Sequence, residues 1–250
     1  MTDFNPNTSH QPKKKGPMKK QILCFATMTL ATALFAADTK EEVTAATKKL
    51  GEKANYSWKT TVVVPESAQF KPGPTDGKTE KDGFTYIKTS FGDNNVEVVT
   101  KGEKTAFINR DGEWQLAGEG GQGAGRGAFM RNVRPPAAQA SEIAAGAKEL
   151  KQDGDVIAGD LTEDGAKTLM RFRRGGGGGG GGEGPAISNA KGSAKFWIKD
   201  GTLTKYEFKV SGKMDFNGNE IDLDRTTTVE IKDVGTTKVE VPEGAKKKLS

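Results

Sequence analysis

Arginines are concentrated beside two glycine-rich segments, 118–127 and 175–184, of this 250-residue chain. A guanidinium group binds phosphate or carboxylate through two parallel hydrogen bonds, and a run of glycines has no side chains to pack. The pattern predicts flexible loops that either bind an anionic polymer or are simply solvated. Six of the eight arginines belong to it: Arg126, Arg131, Arg134, Arg171, Arg173 and Arg174.

A second group of chemically capable residues surrounds a predicted hairpin turn. Its side-chain oxygens suit calcium, and Asp222 and Asp224, about 7 Å apart on one strand face, suit paired-carboxylate glycoside hydrolysis. The dipeptide Asn217-Gly218 explains the turn by itself. We favour a solvated strand face without a metal or catalytic residues; calcium binding and hydrolysis stay open as alternatives. The members are Asp215, Asn217, Asn219, Asp222 and Asp224.

Two glycine patterns resemble nucleotide-binding loops. Gly118, Gly120 and Gly123 match G-x-G-x-x-G, and residues 73–79 are one residue short of a phosphate-binding loop. Both kinds of loop require a helix directly afterwards, because the helix N-terminus binds the phosphate. Neither segment is followed by a helical pattern, so we predict no nucleotide and no cofactor.

The N-terminal 36 residues have the pattern of a secretory leader. Lys19 and Lys20 precede an uncharged, mostly apolar run over 22–35, which the small residues Ala36 and Ala37 follow. That run is shorter than the roughly 20 residues of a membrane-spanning helix. We predict export by a Sec-type signal peptide to the periplasm or the cell exterior, removal of residues 1–36, and a single domain over 37–250.

Removal of the leader changes both the charge and the chemistry of the chain. The leader carries a net charge of +4, so the mature chain has +1 of the original +5. His10 and Cys24 are the chain's single histidine and single cysteine, and both would be lost. This excludes serine–histidine and cysteine–histidine nucleophiles and histidine-based zinc sites. We therefore predict that the protein is not an enzyme.

The rest of the chain predicts a helix, then strands, then short helices and more strands. Thr39 and Glu42 form a capping box for a helix over 39–51, the segment 65–77 is predicted as a loop, and Thr162 caps a helix over 163–170. A further alanine-rich helix is predicted over 137–151. The strands, recognised by period-two alternation and Asx-Gly turns, are predicted at 56–64, 84–91, 96–101, 104–109, 113–117, 156–161, 194–198, 206–210, 227–231 and 239–241.

This order predicts an α+β fold, because the strands are grouped and do not alternate with helices. We expect a large curved antiparallel sheet, a half-barrel of eight to ten strands, with two or three helices covering one face. A sheet of this width must curl.

Four segments resemble the LolA, LolB and LppX family of periplasmic carriers and lipid-binding proteins. They are 84–88 followed by 96–99 (early hairpins), 160–167 (a lid helix), 196–201 (the strand and turn after it) and 229–237 with 241–245 (the last strands). The resemblance implies a half-barrel enclosing an apolar cavity, a lipid or lipidated protein as cargo, and no catalytic residues. Both glycine-rich segments and the absence of a lipobox depart from the family pattern.

The favoured hypothesis is an exported, monomeric, non-enzymatic carrier of a lipid or another apolar small molecule. The alternative is an envelope module that contacts an anionic polymer or envelope protein through the arginine and glycine loops. The apolar residues predicted to contact the ligand are Trp58, Val62, Phe84, Tyr86, Phe129, Met130, Trp197 and Phe208.

Overall fold

A computed structural model describes residues 28–68, 71–91, 94–109, 111–117, 134–171, 186–216 and 218–250. These residues form eleven strands of one antiparallel sheet, in the order β6-β5-β4-β3-β2-β1-β11-β10-β9-β8-β7. The strands are β1 (Asn55–Val63), β2 (Pro72–Glu80), β3 (Phe84–Phe91), β4 (Asn94–Lys101), β5 (Lys104–Ile108), β6 (Trp114–Leu116), β7 (Lys151–Asp153), β8 (Val156–Asp160), β9 (Ala186–Lys199), β10 (Thr202–Phe216) and β11 (Asn219–Lys232).

The described residues also form four helices: α1 (Met28–Gly51), α2 (Pro136–Ala145), α3 (Glu163–Met170) and α4 (Glu243–Leu249). Strand pairing in this part of the chain ends at β6 on one side and β7 on the other, so the sheet is open. The predicted α+β class with a large curved antiparallel sheet is confirmed. No described helix is long and apolar enough to cross a bilayer.

The two faces of the sheet carry different layers. We call the face under α1, α2 and α3 the inner face; it holds the main core, including Trp58, Ile87 and Phe208. On the outer face, α4 packs against β4, β5 and β6 in a second, smaller cluster. Because side chains alternate along a strand, adjacent residues such as Val98 and Val99 belong to different clusters.

Several predicted elements change in the structure. The first helix begins at Met28 and not near 39, and Thr39 does not cap it: its hydroxyl donates to the carbonyl of Leu150. The predicted loop 65–77 is wrong from Pro72 onward, since that segment is β2, paired with β1 and β3. Residues 73–79, which resemble a phosphate-binding loop in sequence, therefore belong to a strand that is followed by another strand and not by a helix. The helix predicted to reach 151 ends at Ala145, before the short strand β7.

The C-terminus also differs from its prediction. Residues 239–241 are not a strand; Val239 and Val241 pack into the outer cluster, and α4 follows them. The helices number four in the described residues, and three of them cover the inner face as predicted, while α4 lies on the other face.

Charges alternate from strand to strand on the outer face. One row of directly opposed residues crosses the sheet from β10 to β4, with one residue from each strand. Each neighbouring pair in this row joins a positive and a negative side chain, which stabilises the register of the strands. Lys88 and Glu97, at the end of the row, form an ion pair of 3.4 Å. The row consists of Lys205, Glu230, Lys59, Asp76, Lys88 and Glu97.

Candidate functional site

The inner face is a continuous floor of mainly apolar side chains. It arises because β1, β9, β10 and β11 alternate apolar and polar residues, so that one face of each strand is buried. Tyr206, Phe196, Val210 and Met214 are almost fully buried there. Above them, the helices contribute mostly small residues, which are Ala46, Ala137, Ala140, Ala144 and Ala166.

One glycine shapes the floor under β1. Gly77 on β2 lies opposite Trp58, and a Cβ at this position would fall 2.1 Å from the indole ring. The indole therefore lies over the backbone of β2, which only glycine permits. Hydroxyl pairs between β2 and β3 stand on either side: Thr79 with Thr85 and Thr75 with Thr89, each at 2.7 Å.

Two buried tyrosines connect this floor to α2. The hydroxyl of Tyr206 donates a hydrogen bond of 2.6 Å to Oε1 of Gln139, and the hydroxyl of Tyr56 accepts one from the backbone N–H of Ala137. Burial raises the pKa of Tyr56 to about 12 and raises the pKa of Tyr206 well above its ordinary value. Both phenols are thus neutral hydrogen-bonding groups at physiological pH.

The three inner helices are fixed to one another by a small number of polar contacts. Nζ of Lys40 on α1 donates to the carbonyls of Ala145 and Ala147 at the C-terminal end of α2, at 3.1 and 3.2 Å. The Thr162 hydroxyl accepts from the N–H of Gly165, which caps α3, and donates to the carbonyl of Gly146 just after α2. A cation at a helix C-terminus and a hydroxyl at an N-cap each stabilise the helix.

Sequence reasoning missed a charged residue on the inner face. Arg225 lies on β11 at an inward-facing position, and its Nη2 donates to the carbonyl of Leu169 near the end of α3. Burial lowers the pKa of the guanidinium. Strand alternation could have revealed it, since Arg225 shares the parity of Leu223 and Val229.

Two pockets open between the inner helices and the sheet. One of about 680 Å³ lies between the end of α1, the start of α2 and the beginning of β1, with Tyr56, Thr79 and Ala137 among its lining residues. This volume is within the usual range for small-molecule sites. Lys48 and Glu80 are among the charged residues around it. The other, of about 230 Å³, lies between α2 and α3 beside Ile143 and Leu161.

The structure divides the predicted ligand contacts between the faces. Trp58 and Phe208 are buried on the inner face, and Val62 is half-buried there. Phe84 and Tyr86 belong to the outer cluster. The sequence showed which residues share a face within one strand, but not which face the helices cover.

Trp197 also faces outward, with Nζ of Lys205 lying 4.6 Å from its ring centre. Phe129 and Met130 lie outside the described residues. Whether any of the eight contacts a ligand stays a prediction.

Two of the six predicted anion-binding arginines lie in the described part of the chain. Arg134 forms an ion pair of 3.2 Å with Glu142 of α2, and Arg171 is exposed directly after α3. The other four, Arg126, Arg131, Arg173 and Arg174, lie outside the described residues, as does the G-x-G-x-x-G segment. Anion binding by this set therefore stays a prediction.

The acidic hairpin has a structural explanation. Asp222 and Asp224 lie on the outer face of β11, and Asp224 pairs with Lys209 at 3.4 Å. The carboxylate of Asp215 accepts from the N–H of Gly218 and so closes the turn. The described residues contain no cluster of three or more histidine, cysteine or acidic side chains placed to hold a metal ion.

The chain resembles known proteins in structure and not in sequence: no protein-family model matches it, and no curated protein does. The crystal structure of the lipoprotein LppX from Mycobacterium tuberculosis aligns with 82% of this chain and 99% of its own, at 9% identity and a TM-score of 0.43. LprF from Mycobacterium bovis aligns with 84% of this chain and 98% of its own, at 12% identity and a TM-score of 0.44.

A LolA superfamily protein from Nitrosomonas europaea aligns with 82% of this chain and 95% of its own, at 10% identity and a TM-score of 0.31.

Proposed function

We propose that the chain is an exported, non-enzymatic carrier or binding protein for a lipid or another apolar ligand, which it holds between the inner face and helices α1–α3. The observation that carries the proposal is a wide apolar floor covered by alanine-rich helices, with a pocket of about 680 Å³ opening between them. The pocket is open to solvent with charged residues around it, and an apolar ligand seated against Tyr56, Ala137 and Ala138 would gain binding free energy from the apolar area that it removes from water.

The way the helices are attached supports a binding role. α2 is joined to the sheet through the hydroxyls of Tyr56 and Tyr206, and to α1 through Lys40. Each neutral hydrogen bond contributes only about 1 kcal/mol. α2 also packs Ile143 and Ala144 into the main core, and an apolar ligand that entered beneath α2 would replace such contacts with its own while the ladder of the sheet stays paired.

The proposal assigns Tyr56, Tyr206 and Arg225 to holding the helices over the inner face. The hydroxyls of Tyr56 and Tyr206 bond to Ala137 and Gln139 of α2, and Nη2 of Arg225 donates to the carbonyl of Leu169 in α3. Desolvation by burial is the largest cause of the pKa shift of each of the three groups.

Export is part of the proposal and is compatible with the packing of α1. The leader predicted over 1–36 ends before Thr39, and the residues of α1 that pack into the core, Val43, Ala46 and Leu50, follow it. Cleavage after Ala36 would leave these contacts in place. Mass measurement of the chain recovered from the periplasm or culture medium tests the cleavage.

Native mass spectrometry of the purified protein, with lipid extraction, tests the ligand. We expect a bound apolar molecule in wild type and a reduced bound fraction in Ala138→Trp, since Ala138 is exposed and lines the 680 Å³ pocket. Ala145→Trp, exposed on the same helix but not part of this pocket's lining, is the matched control. A folded protein that is empty in every preparation, or an equal loss in both variants, contradicts the proposal.

A further inference from the structure

One stretch of β11 has a neighbouring strand on one side and, in the described residues, none on the other. β11 (Asn219–Lys232) pairs with β10 from Asn219 to Glu230. Its pairing with β1 begins only at Thr226, opposite Val63, where β1 ends. The six residues Asn219–Asp224 thus form a sheet edge among the described strands. A strand edge presents backbone N–H and C=O groups that can pair with another chain.

The edge Asn219–Asp224 is accessible to solvent. Asn219, Glu220, Asp222 and Asp224 are exposed, and the Ile221 side chain on the inward-facing side is 50% exposed. Val63, the last residue of β1, is 63% exposed on the other face. Of these two side chains, Ile221 lies on the unpaired stretch of β11, where an added strand would contact it.

The charge pattern of the outer face indicates what such a strand would carry. In the central row, charges alternate from β10 to β4, and β1 contributes Lys59 between two acids. Farther along the sheet, past the last residue of β1, the alternation of charges continues only from β10 to β11. There Lys213 on β10 lies opposite Asp222 on β11. The position where β1 would supply the next cation has no described strand. Glu220 and Asp224 lie on the same face as Asp222, opposite Asp215 and Ser211 of β10. They form ion pairs with the neighbouring β10 residues Lys213 and Lys209, and no described strand supplies a cation from the side of β1.

We propose that the edge Asn219–Asp224 binds an extended segment of a partner polypeptide that adds a strand to the sheet in line with β1. The partner alternates lysine or arginine, which face Glu220, Asp222 and Asp224, with apolar residues, which face Ile221 and Leu223. Backbone hydrogen bonds provide the affinity of such strand addition, and alternate side chains provide its specificity. The inference does not depend on the ligand of the inner face.

A second copy of this chain does not fit the same edge. An antiparallel pairing of two β11 edges that keeps the apolar residues on one face would place Glu220 opposite Asp224 of the other copy, and Asp222 opposite its equivalent. Like charges directly opposite each other destabilise a strand pair. The acids therefore disfavour self-association while favouring a basic partner.

The test uses fluorescence anisotropy with a labelled, end-capped peptide of alternating lysine and valine. We expect saturable binding of this peptide. Binding should be lost with a control peptide that has the same lysine and valine content arranged in two blocks around a central proline. Asp222→Lys should weaken binding about tenfold, because one cross-strand attraction becomes a repulsion. The same variant should bind a glutamate–valine peptide more tightly than wild type does.

Glu103→Lys, in the exposed turn between β4 and β5, makes the same charge change away from the edge and should leave the affinity unchanged. Amide exchange within 219–224 should slow when the peptide binds, which a purely electrostatic association would not produce. The proposal is overturned by absence of binding, by equal binding of the block peptide, by unchanged exchange at the edge, or by a wild-type dimer that Asp222→Lys dissociates.

Discussion

The hydroxyl of Tyr206 on β10 donates a hydrogen bond of 2.6 Å to the side-chain oxygen of Gln139 on α2. Strands β7, β8 and β9 and helix α3 lie between the two residues in the sequence, so this contact helps to fix where α2 lies over the floor. Because Tyr206 is fully buried in the folded protein, this hydrogen bond forms away from bulk water, where its electrostatic strength is greater than in solvent.

Replacing Tyr206 with phenylalanine should therefore destabilise the fold. We expect Tyr206→Phe to lower the free energy of unfolding by about 1–2 kcal/mol, since the partner oxygen of Gln139 loses its donor. Chemical denaturation measures the change. Tyr86→Phe is the control: its hydroxyl donates to Glu97 on the half-exposed outer face, and its loss should cost less. Equal costs would show that the contact with α2 has no special role.

Gly77→Ala should disturb the indole of Trp58. The new Cβ would fall 2.1 Å from the ring, so the ring or the strand must shift, at a cost of about 1–3 kcal/mol. Thermal unfolding measures the loss of stability. In a Trp58→Leu background the same substitution should cost less, because the ring it clashes with is gone. Additive costs would contradict the assigned contact.

Thr162→Ala should loosen α3 from α2. The substitution removes both the N-cap acceptor for Gly165 and the donor to Gly146, and N-cap losses typically cost about 1 kcal/mol. Amide exchange should accelerate in α3 while the rates in β10 stay the same. Thr162→Ser keeps the hydroxyl and should behave like wild type; faster exchange in Thr162→Ser would assign the effect to the methyl group.

Stability should fall at high pH because of the buried phenols. Tyr56 has a folded pKa of about 12 against an ordinary value of 10.0. Above pH 10 the unfolded chain releases this proton while the folded chain keeps it, so the unfolded state is favoured as pH rises to about 12. Burial also raises the pKa of Tyr206 well above its ordinary value, and this adds to the same trend.

Ultraviolet absorbance of the phenolate measures this titration. All three tyrosines of the chain, Tyr56, Tyr86 and Tyr206, have raised pKa values. We expect tyrosinate to appear late and together with unfolding, and Tyr56→Phe to flatten the pH dependence of stability. Normal titration of all three in the folded protein would contradict their burial.

Local signals predicted much of the fold. β3 occupies 84–91 and α3 occupies 163–170 as predicted, because clear alternation and a threonine cap act within a few residues. β2 was missed because Pro72, Pro74, Gly73 and Gly77 are typical of a loop. The requirement for glycine at 77 comes from Trp58 on the neighbouring strand, which the sequence around β2 does not show.

The site was less predictable than the fold. Alternation placed Trp58, Val62 and Phe208 on buried or half-buried positions, but the side on which the helices pack depends on distant residues. Phe84 and Tyr86 face α4, whose seven residues were not recognised as a helix. Arg225 was missed because a lone cation within a polar strand does not reveal that its side of the strand is buried.

The strand order has a consequence for how the chain reaches its native state. The first and last strands, β1 and β11, are neighbours in the middle of the sheet and pair from Ser57 with Lys232 to Val63 with Thr226. The meander β1–β6 can assemble while the chain is being synthesised, but its centre stays incomplete until the final strand leaves the ribosome. Contacts between such distant residues form slowly, so we expect the two halves of the sheet to join late in folding.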